Sequence, residues 1–473
     1  MEKLTTRFAP SPTGMLHIGG VRTALFDYLA AKSTGGRFIL RIEDTDRERF
    51  VEGAIEQIHA GLSWLGIEHD GEVVAQSERL PIYQEHAHKL VAEQKAYKCF
   101  CTSERLKELK EKQEKEGKPP VYDRECLSLT EEEIAKKEQA GEKYVIRFKI
   151  PETPAKVSWK DRIKGKVEFT TNILEDFIIL KSDSWPTYNF ANVVDDHDMK
   201  IGLVIRGDEF VPSTPKHILL YLALGWEPVN FAHVPVIVGA DNKKLSKRNG
   251  DTSVEEYRKK GYLPEALINF LAFLGWNPGT TEEIFSLQEL EKKFSIDRVG
   301  KAPAVFDIER LNYLNGVYIR NLSTTDLSTK LQEFDNKYSK TNKDLFLKSL
   351  EVEKSRLKTL ADFREIFDSY LEMLVYDPAQ LVFKKSNPVD TKRALEMAAK
   401  RLEETEWSEK NPEDFNQILA DIVSELKLGN GDVFWPIRVA LSGLERSASP
   451  SELLWALGKD ESVARIAAAR EKL

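Results

Sequence analysis

The stretch Phe8-Ala9-Pro10-Ser11-Pro12-Thr13-Gly14-Met15-Leu16-His17-Ile18-Gly19-Gly20 decides how this chain is read. Residues 4–8 leading into it read as a short strand, and the two prolines and Gly14 interrupt that strand. Residues 18–31 then place Val21, Leu25, Phe26 and Leu29 at helical spacing. The order is strand, tight loop, helix. A loop that opens onto a helix N-terminus offers unpaired backbone N–H groups and the positive end of a dipole, a pairing suited to a phosphate. Gly14, Gly19 and Gly20 let a nucleotide approach the backbone, because no side chain stands in the way. His17, at the helix start, offers an imidazole donor to a phosphate oxygen. An ordinary βα turn with a capped helix uses the same residues, so a second signal is required.

That signal is Asp241-Asn242-Lys243-Lys244-Leu245-Ser246-Lys247-Arg248-Asn249-Gly250, a polar, basic loop after the apolar residues 234–238. Alone it reads as a solvated basic turn. Together the two stretches resemble the paired signatures of class I aminoacyl-tRNA synthetases: the "HIGH" motif at His17-Ile18-Gly19-Gly20 and the "KMSKS" motif at Lys244-Leu245-Ser246-Lys247-Arg248. Further stretches narrow the resemblance to the bacterial glutamyl-tRNA synthetase family. They are Phe8 through Gly14, Arg41-Ile42-Glu43-Asp44-Thr45-Asp46, Pro186-Thr187-Tyr188-Asn189-Phe190-Ala191-Asn192-Val193-Val194-Asp195-Asp196-His197 and Val204-Ile205-Arg206-Gly207. The likeness continues to Pro436-Ile437-Arg438-Val439-Ala440-Leu441-Ser442-Gly443.

Composition sets outer limits on this reading. The 473 residues exceed one compact core, and that length suggests about three domains. A content of 41% hydrophobic and 31% charged residues is that of a soluble globular protein. No apolar run approaches the roughly 20 residues of a membrane span, and residues 1–9 lack the layout of a signal peptide, so the expected compartment is the cytoplasm. Three cysteines, an odd number, argue against a secreted disulfide framework. The net charge of -8 excludes a uniformly basic nucleic-acid coat and predicts that any RNA contact is localised, for example at the basic tracts 243–248, 258–260 and 348–358.

Strands and helices alternate from residue 4 to about 97, with a strand at 37–42 and helices at 51–65 and 81–94, which implies a parallel α/β sheet with right-handed crossovers. Residues 203–206 and 234–238 read as buried strands that complete the sheet. Between the two parts, a charged helix at 102–118 precedes strands at 144–150 and 166–171. After Gly250 strands largely disappear, and helical apolar spacing marks 253–260, 264–274, 287–294, 325–334, 344–350, 359–374, 390–405, 412–426 and 435–442. The expected fold is multidomain: a Rossmann-like α/β parallel-sheet catalytic domain split over 1–97 and 190–245, an α+β insertion at 98–189, and all-α C-terminal domains. The resemblance implies that the insertion embraces the tRNA acceptor end and that 246–322 is a stem-contact domain. It also implies helical anticodon-binding subdomains at 323–375 and 376–473, where glutaminyl-tRNA synthetases carry β-barrels.

A substrate with two carboxylates and an ammonium needs arginines and a carboxylate, because a guanidinium grips a carboxylate with two parallel hydrogen bonds. Arg7 and Arg206 are the arginines and Glu43 the carboxylate; the same three side chains would also serve as a structural ion-pair network. The resemblance assigns glutamate binding to Arg7, Ala9, Ser11, Glu43, Tyr188, Asn192 and Arg206, without saying which arginine takes the side-chain carboxylate. It assigns ATP to Ser11, Thr13, His17, Gly19, Gly20, Glu209, Lys244, Ser246 and Lys247, with His17, Lys244 and Lys247 as the catalytic set and Mg²⁺ carried mainly by phosphate oxygens and water. Asp44 and Asp46 are read as N-terminal acids of a helix beginning near Arg47.

The cysteines fall as Cys99-Phe100-Cys101 and Cys126. Relatives with a zinc-binding insert resemble this layout, often with a histidine two residues after the third cysteine, where this chain has Ser128. Tyr122, four residues before Cys126, resembles an alternative ligand in glutamyl-queuosine synthetase relatives. The cluster is therefore either a structural zinc site or three reduced thiols. Arg356, in Lys354-Ser355-Arg356-Leu357-Lys358, falls where discriminating relatives use an arginine against cytosine at the third anticodon base; a phosphate-binding or surface role is the alternative. The function implied is ATP-dependent attachment of L-glutamate to the 3′ end of tRNA(Glu) through a glutamyl adenylate, by a monomer with no membrane contact. The alternatives are a non-discriminating enzyme that also charges tRNA(Gln) and a catalytically inactive tRNA-binding relative.

Overall fold

Thr5–Phe8 forms β1 and Ile18–Lys32 forms α1, so the opening stretch is indeed strand, loop and helix. The structure is a computed structural model and describes residues 3–153, 155–243, 245, 253–373 and 375–473. Its chain divides into two compact units, one made of Met1–Glu256 and Leu267–Asp307, the other of Tyr257–Ala266 and Ile308–Leu473.

In the first unit β2 (Arg37–Ile42) follows, then α2 (Ala54–Trp64), β3 (Val74–Ala75) and α3 (Leu80–Ala92). β1, β2 and β3 pair in parallel in that order, so β1 lies at one edge of this sheet. Chain entry to the sheet is tight: a Cβ on Gly36 would lie 1.8 Å from the Leu4 carbonyl oxygen, so only glycine fits between α1 and β2. The loop after β1 is held by Glu43 N–H on Pro10 O (3.0 Å) and Val51 N–H on Pro12 O (2.9 Å). Arg22, on α1, donates to the carbonyls of Leu274 and Pro235 and fixes the start of the helix.

The insertion changes to antiparallel pairing. β4 (Ala96–Cys99), α4 (Ser103–Lys115), α5 (Glu131–Gln139), β5 (Val145–Phe148), the hairpin β6 (Lys156–Asp161) and β7 (Gly165–Thr170), and β8 (Ile178–Leu180) follow in order. β4, β5 and β8 form one antiparallel sheet and β6 with β7 another. The parallel pattern resumes with α6 (Tyr188–Asp198), β9 (Leu203–Gly207), α7 (Thr214–Leu224) and β10 (Asn230–Val234), where β9 and β10 pair in parallel. Gly202 N–H donates to Thr5 O at 2.9 Å, which sets the start of β9 beside the start of β1. α3, β4, β5, α6 and α7 share one apolar core around Tyr83, Phe190 and Tyr221.

Two expectations are corrected here. Residues 234–238 are not one strand: Val234 ends β10 and a separate β11 (Ile237–Val238) begins after Pro235, which has no N–H for a ladder. β11 pairs in parallel with β12 (Ala304–Val305), a strand too short to show alternation, beyond α8 (Val254–Lys259), α9 (Pro264–Phe273) and α10 (Leu287–Lys293). Asp44 and Asp46 do not start a helix. Asp44 accepts from Ser77 N–H (2.8 Å) and Oγ (2.6 Å), Asp46 pairs with Arg49, and the helix begins only at Ala54, behind Gly53 at φ 79°.

The second unit is helical: α11 (Ile308–Asn321), α12 (Thr324–Phe334), α13 (Lys343–Glu353), α14 (Leu360–Leu371), α15 (Pro388–Glu404), α16 (Pro412–Leu426), α17 (Asn430–Ser442), α18 (Pro450–Leu457) and α19 (Lys459–Glu471). Ser323, Asn342, Asn387, Asn411 and Ser449 cap helices here, each accepting from first-turn N–H groups, and Pro stands in the first turn of α15, α16 and α18. The helices share one core that includes Phe346, Phe363, Phe367, Leu419 and Ile437. α11, α18 and α19 were not expected from periodicity: α11 carries Gly316 and several asparagines, and α19 is largely alanine and charge.

Candidate active site

A cavity of about 1030 Å³ opens where β1, β2 and β9 end and α1 begins, the place where open parallel sheets bind ligands. Arg7, Ala9, Ser11, Thr13, His17, Gly19 and Gly20 line it from the first stretch, Glu43 from beyond β2, Tyr188 and Asn192 from α6, and Arg206 and Glu209 from β9 and the turn after it. Every described residue of the expected ATP and glutamate sets is therefore in one cavity. Lys244, Ser246 and Lys247 lie outside the described residues; Leu245, between them, lines the cavity.

His17 is the N-cap of α1, and its Nδ1 accepts the Gly19 N–H at 3.0 Å. A neutral imidazole that accepts on Nδ1 carries its proton on Nε2, so Nε2–H is the donor the ring offers. A Cβ on Gly19 would come within 3.4 Å of that same Nδ1, so the His17 ring packs directly against the glycine.

The floor of the cavity is charged and buried. Asp196 Oδ1 accepts from Arg7 Nε (2.9 Å) and Arg41 Nη1 (2.8 Å), and Arg41 Nη2 donates to Glu43 Oε1 (3.0 Å). Asn192 Nδ2 also donates to that Glu43 oxygen at 2.8 Å. Burial alone would raise the Asp196 carboxyl, but the Arg7 and Arg41 guanidinium groups outweigh it and hold it below the ordinary range. Glu43 has the opposite balance: burial outweighs Arg41 and Arg7 and pushes its carboxyl up. Arg7 and Glu43 are thus joined through Arg41 and Asp196. Arg206 stands outside this network: its hydrogen bonds go to His233, Tyr188, His217 and Thr214, none of them a carboxylate.

Comparison with known proteins bears on what such a cavity serves. The model of the family "tRNA synthetases class I (E and Q), catalytic domain" matches residues 3–313, and that of an anticodon binding domain matches 325–470. The chain belongs to the class I tRNA synthetases of the E and Q group. Among this family, the synthetase is 42% identical to glutamate–tRNA ligase 2 of Thermoanaerobacter pseudethanolicus over 98% of both chains. It is also 42% identical to the glutamate–tRNA ligase of Alkaliphilus metalliredigens over the whole of both. A solved glutamate tRNA ligase from Elizabethkingia meningosepticum, in complex with its amino acid, superposes with a TM-score of 0.91 at 35% identity over 99% of each chain.

Sequence reasoning on this synthetase did not assign roles to Arg41, Asp196, Thr214, His217, His233 or Asp161. Asp196 had a visible signal, since it stands four residues after Asn192 on the helix face that carries the pocket. His217 and His233 had none: each is the single histidine of its element, with no motif around it.

Away from the cavity, the sulfur atoms of Cys99, Cys101 and Cys126 lie within 4.8 Å of one another. The Tyr122 hydroxyl is 3.2 Å from Cys99 Sγ and 3.5 Å from Cys101 Sγ. Ser128 is not a member, because its Oγ donates to Glu125 O at 2.9 Å. Four tetrahedral ligands on zinc place sulfur atoms about 3.8 Å apart, so the three thiols and the phenol fit such an ion. Burial raises the Cys99 thiol, but hydrogen bonding from Tyr122, the Cys101 N–H and Arg147 outweighs it and lowers the thiol, whereas burial pushes the Cys101 thiol up to about 12. In the helical unit, Arg356 donates to Val352 O (2.8 Å) and pairs with Glu353 (3.4 Å) and Glu452 (3.2 Å).

Proposed function

We propose that the chain joins L-glutamate to the 3′ end of tRNA(Glu) at the expense of ATP. In the first step a glutamate carboxylate oxygen attacks the α-phosphorus of ATP, and pyrophosphate leaves; in the second a terminal ribose hydroxyl of the tRNA attacks the adenylate carbonyl, and AMP leaves. Displacement at phosphorus asks little covalent chemistry of a protein, so positioning and positive charge carry the catalysis. His17 Nε2–H and the N-terminus of α1 meet the ATP phosphates, with Lys244, Ser246 and Lys247 from the second motif, and Mg²⁺ travels with ATP on phosphate oxygens. Arg7 and Arg206 take the two glutamate carboxylates, Glu43 the ammonium, and Tyr188 and Asn192 the remaining polar edge.

The observation that carries this reading is one cavity that joins a helix N-terminus suited to phosphate with Arg206, a buried guanidinium held by neutral groups only. The inactive relative and the enzyme that also charges tRNA(Gln) are not favoured by full-length similarity to glutamate–tRNA ligases. The second-unit helices, with Arg356, serve the anticodon, and Cys99, Cys101, Cys126 and Tyr122 hold one structural zinc that ties β4 to the turn at Glu125–Ser128. None of the described helices is long and apolar enough to cross a membrane. Glutamate-dependent exchange of pyrophosphate into ATP, assayed with tRNA(Glu) present, tests the site. Arg7→Ala should lower kcat/KM for glutamate by a factor equivalent to about 3 to 5 kcal/mol and alter KM for ATP far less. Equal losses for both substrates would remove Arg7 from the amino-acid pocket.

A further inference from the structure

Arg206 is gripped from behind by a chain of hydrogen bonds that starts in the insertion. Its Nε–H donates to His233 Nε2 (3.1 Å), its Nη2 to Thr214 Oγ1 (2.8 Å), and its Nη1 to His217 Nδ1 (3.2 Å) and, at 3.4 Å, the Tyr188 hydroxyl. A ring nitrogen that accepts from arginine keeps its lone pair, so each imidazole is neutral and carries its proton on the opposite nitrogen. On His233 that nitrogen is Nδ1, which donates to Asp161 Oδ2 at 2.5 Å. Asp161, the last residue of β6, is itself fixed by the backbone N–H groups of Ile163 (3.0 Å), Lys164 (2.9 Å) and His233 (3.2 Å). Asp161, His233 and Arg206 are 2%, 0% and 5% exposed, so water does not compete along the chain.

This arrangement differs from the one around Arg7. A guanidinium already paired with a carboxylate, as Arg7 is with Asp196, has part of its charge answered before a ligand arrives. One held by neutral acceptors keeps its charge while its plane is fixed, and that is the state that gains most from a ligand carboxylate. Of five N–H groups on Arg206, four are engaged by the described residues, one of them only by the long Tyr188 contact. The remaining Nη2–H and that long contact are what a carboxylate can take.

We propose that His233, fixed by Asp161 at the turn of the β6–β7 hairpin, is a positioning residue that aims Arg206 at a carboxylate of the amino-acid substrate. The inference rests on the reading of Arg206 as a glutamate ligand, and it makes the geometry of the amino-acid pocket depend on a hairpin of the insertion.

Steady-state pyrophosphate exchange, with KM for glutamate and for ATP measured separately, tests it on four variants. His233→Leu removes the ring's hydrogen bonds with Arg206 and Asp161 and its contact with Thr214 Oγ1 (3.1 Å), and should raise KM for glutamate about tenfold or more, as expected for loss of a hydrogen bond to a charged group, with KM for ATP within about twofold of the original. His233→Gln keeps an acceptor for Arg206 and a donor for Asp161 and should recover most of the loss. Asp161→Asn offers an N–H to Nδ1, which drives the ring proton to Nε2 against the Arg206 N–H, and should reproduce the His233→Leu defect. Should His233→Leu fail to fold, Asp161→Asn and His233→Gln still carry the comparison. Arg206→Ala separates the two readings. A large rise in KM for glutamate in Arg206→Ala, with none in Asp161→Asn or His233→Leu, overturns the positioning role and leaves the pocket reading intact. An unchanged KM in Arg206→Ala overturns both.

Discussion

Asp196 shows how much of the site is decided by single side chains. It answers two guanidinium groups that are 3% and 0% exposed, Arg7 and Arg41, with one oxygen atom. Removing one partner from a buried ion group leaves an uncompensated charge, which costs about 3 to 5 kcal/mol. Asp196→Ala should lower the unfolding free energy by that amount at pH 7, measured by urea titration. The sign with pH follows from the depressed carboxyl of the folded state. Its contribution is present above the ordinary aspartate value of 3.8 and is lost as pH falls through the lower folded value. The gap between the two proteins should therefore close as the titration moves from pH 7 to below pH 4; a constant gap would mean that the charge of Asp196 is not what stabilises. At this scale the sequence was informative where residues cluster in motifs. Arg7, His17, Glu43 and Arg206 were legible because their chemistry matches a substrate with charges to be met. His217 and His233 were not, since a lone histidine on a strand or helix shows nothing of the partner that the fold brings to it.

Elements were legible where turn chemistry and apolar spacing agree. β1, the Pro-rich loop and α1 came directly from residues 4–31, and α12 to α17 of the second unit followed from helical apolar spacing, whereas α18, a short helix behind Ser449, did not. Residues 237–238 were read as strand, but the break that separates β11 from β10 was not, and β12 was illegible because two residues cannot alternate and its pairing with β11 joins positions 67 residues apart. The Cys99, Cys101, Cys126 and Tyr122 cluster belongs to this scale, because it connects the end of β4 with the segment 122–128. Metal analysis of protein purified without chelator should find about one zinc per chain, and Cys99→Ser should release it and lower the melting temperature. A metal-free protein with unchanged melting would mark the cluster as three reduced thiols.

For the whole molecule, the split catalytic sheet was readable from the alternation of strands and helices on either side of the insertion, and the helical C-terminal region from the loss of strands after Gly250. The net charge of -8 set the expectation that RNA contacts are local. Arg356 is one place to test this. In the protein alone it pairs with Glu353 and Glu452, so a base must compete with two carboxylates for it. If Arg356 reads the third anticodon base, Arg356→Gln should raise charging of tRNA(Gln) relative to tRNA(Glu). A phosphate contact would instead weaken both alike and flatten the salt dependence. The central claim is that one cavity brings glutamate and ATP together for transfer to tRNA(Glu), and aminoacylation by the purified chain tests it most directly. With labelled glutamate, ATP and Mg²⁺, label should accumulate on tRNA(Glu) and release AMP in equal amount, while labelled glutamine gives none. Charging with glutamine in place of glutamate, or no charging by intact protein, would contradict the account.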